Sequence, residues 1–118
     1  MGMGRCLSSS TLLHNPSCSK SLAALKQLQN REIDFIVREY LLDPLAVDEL
    51  TELVAHVGRF RPESGPSSLL RSSTDAWDAE TVAANPEMLQ RPVFLHAGSQ
   101  RAAIGRPNSS GIMELALV

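Results

Sequence analysis

The strongest constraint on the fold lies between residues 8 and 40, where strand, helix and strand patterns follow one another almost without a break. Ser8 to His14 is read as a strand, weakened by its serines. Asn15-Pro16 ends it, because proline lacks an N–H and restricts the residue before it. From Ser19 to Asn30 the pattern turns helical: Leu22, Leu25 and Leu28, with Ala23 and Ala24, form an apolar stripe, and Lys20, Lys26, Gln27 and Gln29 face water. Ile33 to Tyr40 is rich in β-formers and reads as a second strand. A unit of this length predicts two parallel strands joined by a right-handed crossover.

Downstream, Asp43-Pro44 predicts a helix start, with a capping side chain followed by proline at the first helical position. Leu50, Leu53, Val54 and Val57 continue that helix, and Gly58 is expected to stop it. Residues 59 to 68 are a loop by composition. Leu69-Leu70-Arg71 is assigned to a short helix. Residues 76 to 84 and 86 to 90 give further short helical pieces, with Trp77, Val82, Met88 and Leu89 as core contacts. Pro92 to Ala97 and Ala102 to Gly105 flank the turn Gly98-Ser99-Gln100 and predict an antiparallel hairpin. Arg106-Pro107-Asn108 opens a last helix carrying Ile112, Met113, Leu115 and Leu117, weakened at Gly111 by roughly 1 kcal/mol relative to alanine. The order βαβ, helices, ββα predicts an α/β fold with a mixed sheet.

A chain of 118 residues is long enough for one domain with one core, and residues 1 to 118 are read as a single domain with a helical insertion at about 43–90. A formal net charge of −2, with charges mixed along the chain, gives no general nucleic-acid or membrane surface. No apolar run approaches transmembrane length and no signal peptide is seen, so a cytoplasmic protein with reduced thiols is expected. Two cysteines do not make a disulfide framework, and His56 and His96 lack partners at metal-ligand spacing, so no metal is expected.

The chemistry concentrates at His14-Asn15-Pro16-Ser17-Cys18-Ser19-Lys20-Ser21. A thiolate at Cys18 would sit at a helix N-terminus, where unpaired N–H groups and the helix dipole favour negative charge and create a nucleophile. His14 and the hydroxyls of Ser19 and Ser21 are near in sequence; a protonated His14 imidazole would further favour the thiolate. The alternative is an inert buried thiol, since free cysteine packs like a small hydrophobe. Cys6 is either a resolving cysteine or a spectator.

A cysteine at the first strand-to-helix turn of this element order is the thioredoxin-like arrangement, with a shortened helical subdomain. The segment from His14 to Ser21 closely resembles the active-site segment of the glutaredoxin-linked arsenate reductases, the ArsC family. Glu39-Tyr40-Leu41 through Pro44, Leu69-Leu70-Arg71, Asn85-Pro86 through Val93 and Ile104-Gly105-Arg106-Pro107 are similar in the same order. The resemblance implies that Cys18 attacks arsenate, that glutathione is the co-substrate with no cofactor bound, and that glutaredoxin recycles the thiol. It further implies Arg71, Arg91 and Arg106 as oxyanion ligands, His14 and Ser21 as partners of the thiol, and Pro92 as a cis-proline. Guanidinium groups suit a tetrahedral oxyanion through forked, charge-assisted hydrogen bonds. A monomer is expected.

The chain departs from the family in a shorter segment between Arg71 and Arg91, a longer loop before Leu69, and Leu13 where an aromatic residue is common. Two other readings share the fold. One is an Spx-type regulator binding RNA polymerase, which typically carries Cys-x-x-Cys; here Ser21 occupies the second position, so no local disulfide can form. The other is a thiol oxidoreductase acting on glutathionylated proteins. Phosphatase-like arsenate reduction is excluded, because the position six after Cys18 is Ala24 rather than arginine.

Overall fold

The computed structural model describes residues 10–63, 65–72, 76–105 and 110–116. Within them, strands β1 (Thr11–Leu13), β2 (Ile36–Arg38), β3 (Val93–His96) and β4 (Arg101–Ile104) form one sheet in the order β2-β1-β3-β4. β1 and β2 are parallel, while β3 runs antiparallel to both β1 and β4. The helices are α1 (Ser19–Asn30), α2 (Val47–Phe60), α3 (Ala79–Ala84) and α4 (Ser110–Ala116), with short 3₁₀ turns at Pro66–Leu69 and Pro86–Met88. This is the thioredoxin-like order of βαβ, helices and ββα, with a mixed sheet.

The central strands are apolar without alternation because helices cover both faces. Leu12, Phe94 and Ala103 point to one side and pack with Ala24 and Leu28 of α1 and Ile112 and Leu115 of α4. Leu13, Val93, Leu95 and Ala102 point to the other and pack with Leu50, Leu53 and Val57 of α2, Val82 of α3, and Leu89. Trp77 and Met88 lie partly buried against this second cluster.

Several boundaries differ from expectation, each for a physical reason. β2 spans only three residues and is an edge strand, so Ile36 and Val37 stay about half exposed. In α1 the buried positions are Ser21, Ala24 and Leu28, while Leu22 is 48% exposed. The serine takes the inward position because its hydroxyl is satisfied there, as described below. α1 ends in a paired-bond C-cap: Glu32 N–H donates to Gln29 O and Ile33 N–H to Leu28 O, with Glu32 in the left-handed region at φ 56°. Leu69-Leu70-Arg71 is not helical throughout. The 3₁₀ turn ends at Leu69, and Leu70 forms an antiparallel bridge with Leu89.

α2 begins at Val47 rather than at Pro44. Glu49 makes the difference, since its carboxylate accepts the Ala46 N–H at 2.9 Å and caps the helix from inside. Alanine has no oxygen to return the bond, so only this half of a capping box is made. The same carboxylate receives Arg38 in a forked pair, with Nη1–Oε2 at 2.7 Å and Nη2–Oε1 at 3.2 Å. Arg38 also donates to the carbonyls of Asp43 and Pro44. One largely buried guanidinium therefore closes the turn that follows β2. At its other end α2 runs through Gly58 to Phe60. Glycine costs a helix about 1 kcal/mol, whereas burying much of a phenylalanine returns on the order of 1.5–3 kcal/mol, and Phe60 packs against the Leu12–Phe94 cluster.

Replacing Arg38 by Met leaves the Glu49 carboxylate buried without its cation. The expected cost is about 3–5 kcal/mol in urea unfolding, and Arg38→Met combined with Glu49→Leu should recover part of it. A single variant within about 1 kcal/mol of wild type would remove this pair from its structural role.

Candidate active site

Strand β1 runs directly into the turn that carries the cysteine. Asn15 O accepts the Cys18 N–H at 3.0 Å, closing a β-turn with Pro16 at its second position, where a fixed φ is favourable. Asn15 Oδ1 accepts the Ser17 N–H at 2.9 Å. Asn15 N–H donates to Ser21 Oγ at 3.0 Å, and Ser21 Oγ lies 2.6 Å from His14 Nδ1. Cys18 is the N-cap of α1, with extended backbone (φ −106°, ψ 122°), and its carbonyl accepts the Leu22 N–H. The thiol thus stands at the helix N-terminus, beside N–H groups that no upstream carbonyl can reach. It is only 8% exposed. Burial agrees with the inert-thiol alternative, but the polar frame around it does not.

The segments bearing the arginines are joined to this turn through the sheet. Arg71 N–H donates to Met88 O and Gln90 N–H to Leu69 O, tying the chain before Arg71 to the chain before Arg91. The Arg91–Pro92 peptide bond is cis, Pro92 is buried, and Leu13 pairs with Val93 across β1 and β3. Gly105 fits closely behind Pro92: a Cβ there would stand 2.7 Å from Pro92 Cγ and 2.9 Å from Ile112 Cδ1. Arg71 is exposed and Arg91 half-buried. Arg106 and Cys6 lie outside the described residues.

Tyr40 occupies the junction. It is 2% exposed and shares a buried cluster with Leu13, Leu70, Leu89 and Val93, each within two positions of His14, Arg71, Arg91 or Pro92. Burial raises the phenol above its ordinary 10.0. The Arg91 charge, the nearby Asn15 amide and the Arg71 charge pull it back, and Cys18 pushes it up. One buried hydroxyl therefore senses the cysteine and two of the three arginines. In the sequence Tyr40 ends a run of β-formers and opens a stretch similar to the family, and neither signal assigns it a place at the site.

No family model matches the chain. It is 33% identical over 110 residues to an arsenate reductase of Neisseria meningitidis, covering 81% of this chain and 89% of that protein. It is 32% identical over 107 residues to an arsenate reductase of Haemophilus influenzae, covering 81% of this chain and 90% of that protein. The solved arsenate reductase from Vibrio cholerae superposes with a TM-score of 0.75 at 26% identity, over 92% of this chain and 98% of that one. The chain belongs to the ArsC family.

The structure brings Cys18, His14 and Ser21 together on one turn and places Tyr40 between that turn and the segments that bear Arg71 and Arg91. The protonated His14 imidazole considered from the residues alone is disfavoured. His14 is 4% exposed, and burial pushes its imidazole below the ordinary 6.5, with Glu39 pulling the other way. The neutral ring is favoured, not the protonated one. Among the described residues, no group of His, Cys, Asp and Glu is arranged to hold a metal ion, and no helix is long and apolar enough to cross a membrane.

His56 on α2 behaves like His14. It is 8% exposed, its Nδ1 has no hydrogen-bond partner, and burial followed by the Arg59 charge lowers its pKa, against Glu52. Both folded-state values lie below 6.5, so the unfolded chain takes up protons first as pH falls. Stability should therefore be complete above about pH 6.5 and decline below it. Urea unfolding at pH 7.5 and 5.5 should show the loss, and His56→Leu should reduce it. An identical loss in that variant would assign the decline to other groups.

Proposed function

We propose that this ArsC protein reduces arsenate to arsenite, with Cys18 as nucleophile, Arg71, Arg91 and Arg106 as oxyanion ligands, and glutathione and glutaredoxin as reductants. What supports this most is the convergence of a helix-capping cysteine and two arginine-bearing segments on one buried hydroxyl, Tyr40, in a chain that belongs to this family. The need for reduced glutathione fits a reducing compartment such as the cytoplasm.

In the proposed cycle the Cys18 thiolate attacks arsenic. An As–S bond forms, an As–O bond breaks, and the departing oxygen is protonated to water. The arginine forks neutralise the oxyanion and hold it for attack, where charge stabilisation in a water-poor site is most effective. Glutathione thiolate then attacks the Cys18 sulfur. The As–S electron pair stays on arsenic, so As(V) becomes As(III), arsenite leaves, and Cys18 is left in a mixed disulfide with glutathione. A glutaredoxin thiol takes the glutathione and returns Cys18 to the thiol.

Ser21 lies three residues after Cys18, on the same side of α1. With the neutral His14 protonated at Nδ1, the imidazole and the Asn15 N–H both donate to Ser21 Oγ. The hydroxyl hydrogen is then free to face the thiolate. Arg71 is exposed, which suits an arginine that closes over the anion from the solvent side.

Arsenate-dependent NADPH oxidation, coupled through glutathione reductase, glutathione and glutaredoxin, tests the proposal. Wild type should turn over, and Cys18→Ser should lose essentially all activity while remaining folded. Turnover retained in Cys18→Ser, or a folded wild type that cleaves glutathionylated peptide but never consumes arsenate, would overturn it.

A further inference from the structure

Strand β4 ends against the proline that follows Arg91. One step beyond Val93 and Ile104, the last paired residues of the hairpin, the Gly105 N–H donates to Pro92 O at 2.8 Å. Pro92 is buried and Arg91 beside it is half-buried. Arg106 follows Gly105 directly in the sequence. Two of the three arginines assigned to the oxyanion are thus chain neighbours of backbone units that one hydrogen bond ties together.

The backbone at position 105 does not itself call for glycine, since it lies outside the left-handed region. Space calls for it. A Cβ there would stand 2.7 Å from Pro92 Cγ, 3.0 Å from Pro92 Cδ and 2.9 Å from Ile112 Cδ1. Carbon atoms in ordinary contact are about 3.5–4.0 Å apart, so the groups would have to part by on the order of 1 Å. The three atoms differ in how they can yield. Ile112 Cδ1 is the far end of a side chain with rotamers to choose from. Pro92 Cγ and Cδ belong to a closed ring, and Cδ is bonded to the backbone nitrogen that joins Pro92 to Arg91. Pressure on that ring is pressure on the peptide that carries Arg91. The other way out is to move the end of β4, to which Arg106 is joined.

We propose that Gly105 is a positioning residue for the oxyanion site: by leaving room for Pro92, it sets the separation of the two chain segments that carry Arg91 and Arg106. Two guanidinium forks can hold one tetrahedral anion only if their spacing matches it. A displacement of about 1 Å is enough to cost on the order of a hundredfold in rate when it falls on groups that position a substrate. A methyl group at 105 delivers a displacement of that size without touching any arginine.

The inference rests on the proposed oxyanion site and deepens it. Its test is the arsenate concentration that halves the rate of Cys18 alkylation by iodoacetamide. Labelling is followed on the Cys18 peptide at fixed ionic strength, and each variant is referred to its own rate without arsenate. Gly105→Ala should need at least about fivefold more arsenate than wild type, as expected when one charge-assisted contact is displaced. Combining Gly105→Ala with Ile112→Val opens room on the α4 side, so that the end of β4 can settle away from Pro92. Thermal unfolding should then return toward that of Ile112→Val alone, while the arsenate requirement stays raised. A role in packing alone would make the two recover together. The double variant carries the test if Gly105→Ala does not fold. A half-protecting concentration within about twofold of wild type in either folded variant would overturn the inference and leave the oxyanion site standing. Labelling of wild type that arsenate does not slow would remove the site itself, and this inference with it.

Discussion

Everything proposed for this molecule depends on the central strand β1, three residues long and hydrogen-bonded on both edges. A strand this short has little stability of its own. It is held because Leu12 and Leu13, at 0% and 2% exposure, bury their side chains on opposite faces of the sheet. Full burial of each is worth on the order of 2 kcal/mol in transfer free energy alone. The backbone that leaves this strand is therefore rigid at the moment it reaches His14, and the cysteine turn inherits that rigidity. The same registers align β2, which leads into Tyr40, and β3, which begins directly after the cis-proline. Three chain segments distant in sequence arrive at one end of the sheet because one short strand pairs with both of its neighbours.

Polar groups at that end are arranged so that burial and hydrogen bonding reinforce each other. Ser21 would be a weakness on the inner face of a helix if its hydroxyl were unsatisfied. Here it is bound by His14 and Asn15, and it displaces Leu22 to the surface. Burial keeps His14 uncharged and Tyr40 protonated. In the proposed site, Arg71 and Arg91 would then be the cations that balance a thiolate or an incoming oxyanion, an arrangement that suits binding an anion near an anionic nucleophile.

The parts of this structure legible in the sequence are those set by local signals. Asn15-Pro16 ended β1 and Cys18 capped a helix whose limits, Ser19 and Asn30, follow from its own caps and polarity pattern. The hairpin of β3 and β4 was equally local. What escaped was set by groups far apart in the chain. α2 starts where Glu49 caps the Ala46 N–H, and Glu49 is in turn held by Arg38, eleven positions upstream, which no capping pattern at Asp43-Pro44 reveals. Leu70 left the expected helix to bridge with Leu89. Tyr40 carried a β-former's signature, and its place between the cysteine turn and the arginine segments appears only when the sheet is assembled. The burial that favours a neutral His14 has the same origin, since it comes from the packed sheet and not from its neighbours in sequence.

The central claim is that Cys18 and the arginines Arg71 and Arg91 share one site for an oxyanion. Protection of Cys18 from alkylation by arsenate, measured at fixed ionic strength with the labelled peptide identified, tests it most directly. Arsenate should slow labelling of wild type in a saturable manner, while Arg91→Lys, which keeps the charge but loses the fork, should need several-fold more arsenate for the same protection. Labelling that is indifferent to arsenate in the folded wild type would mean that the thiol and the arginines do not form a common site, and would contradict the account.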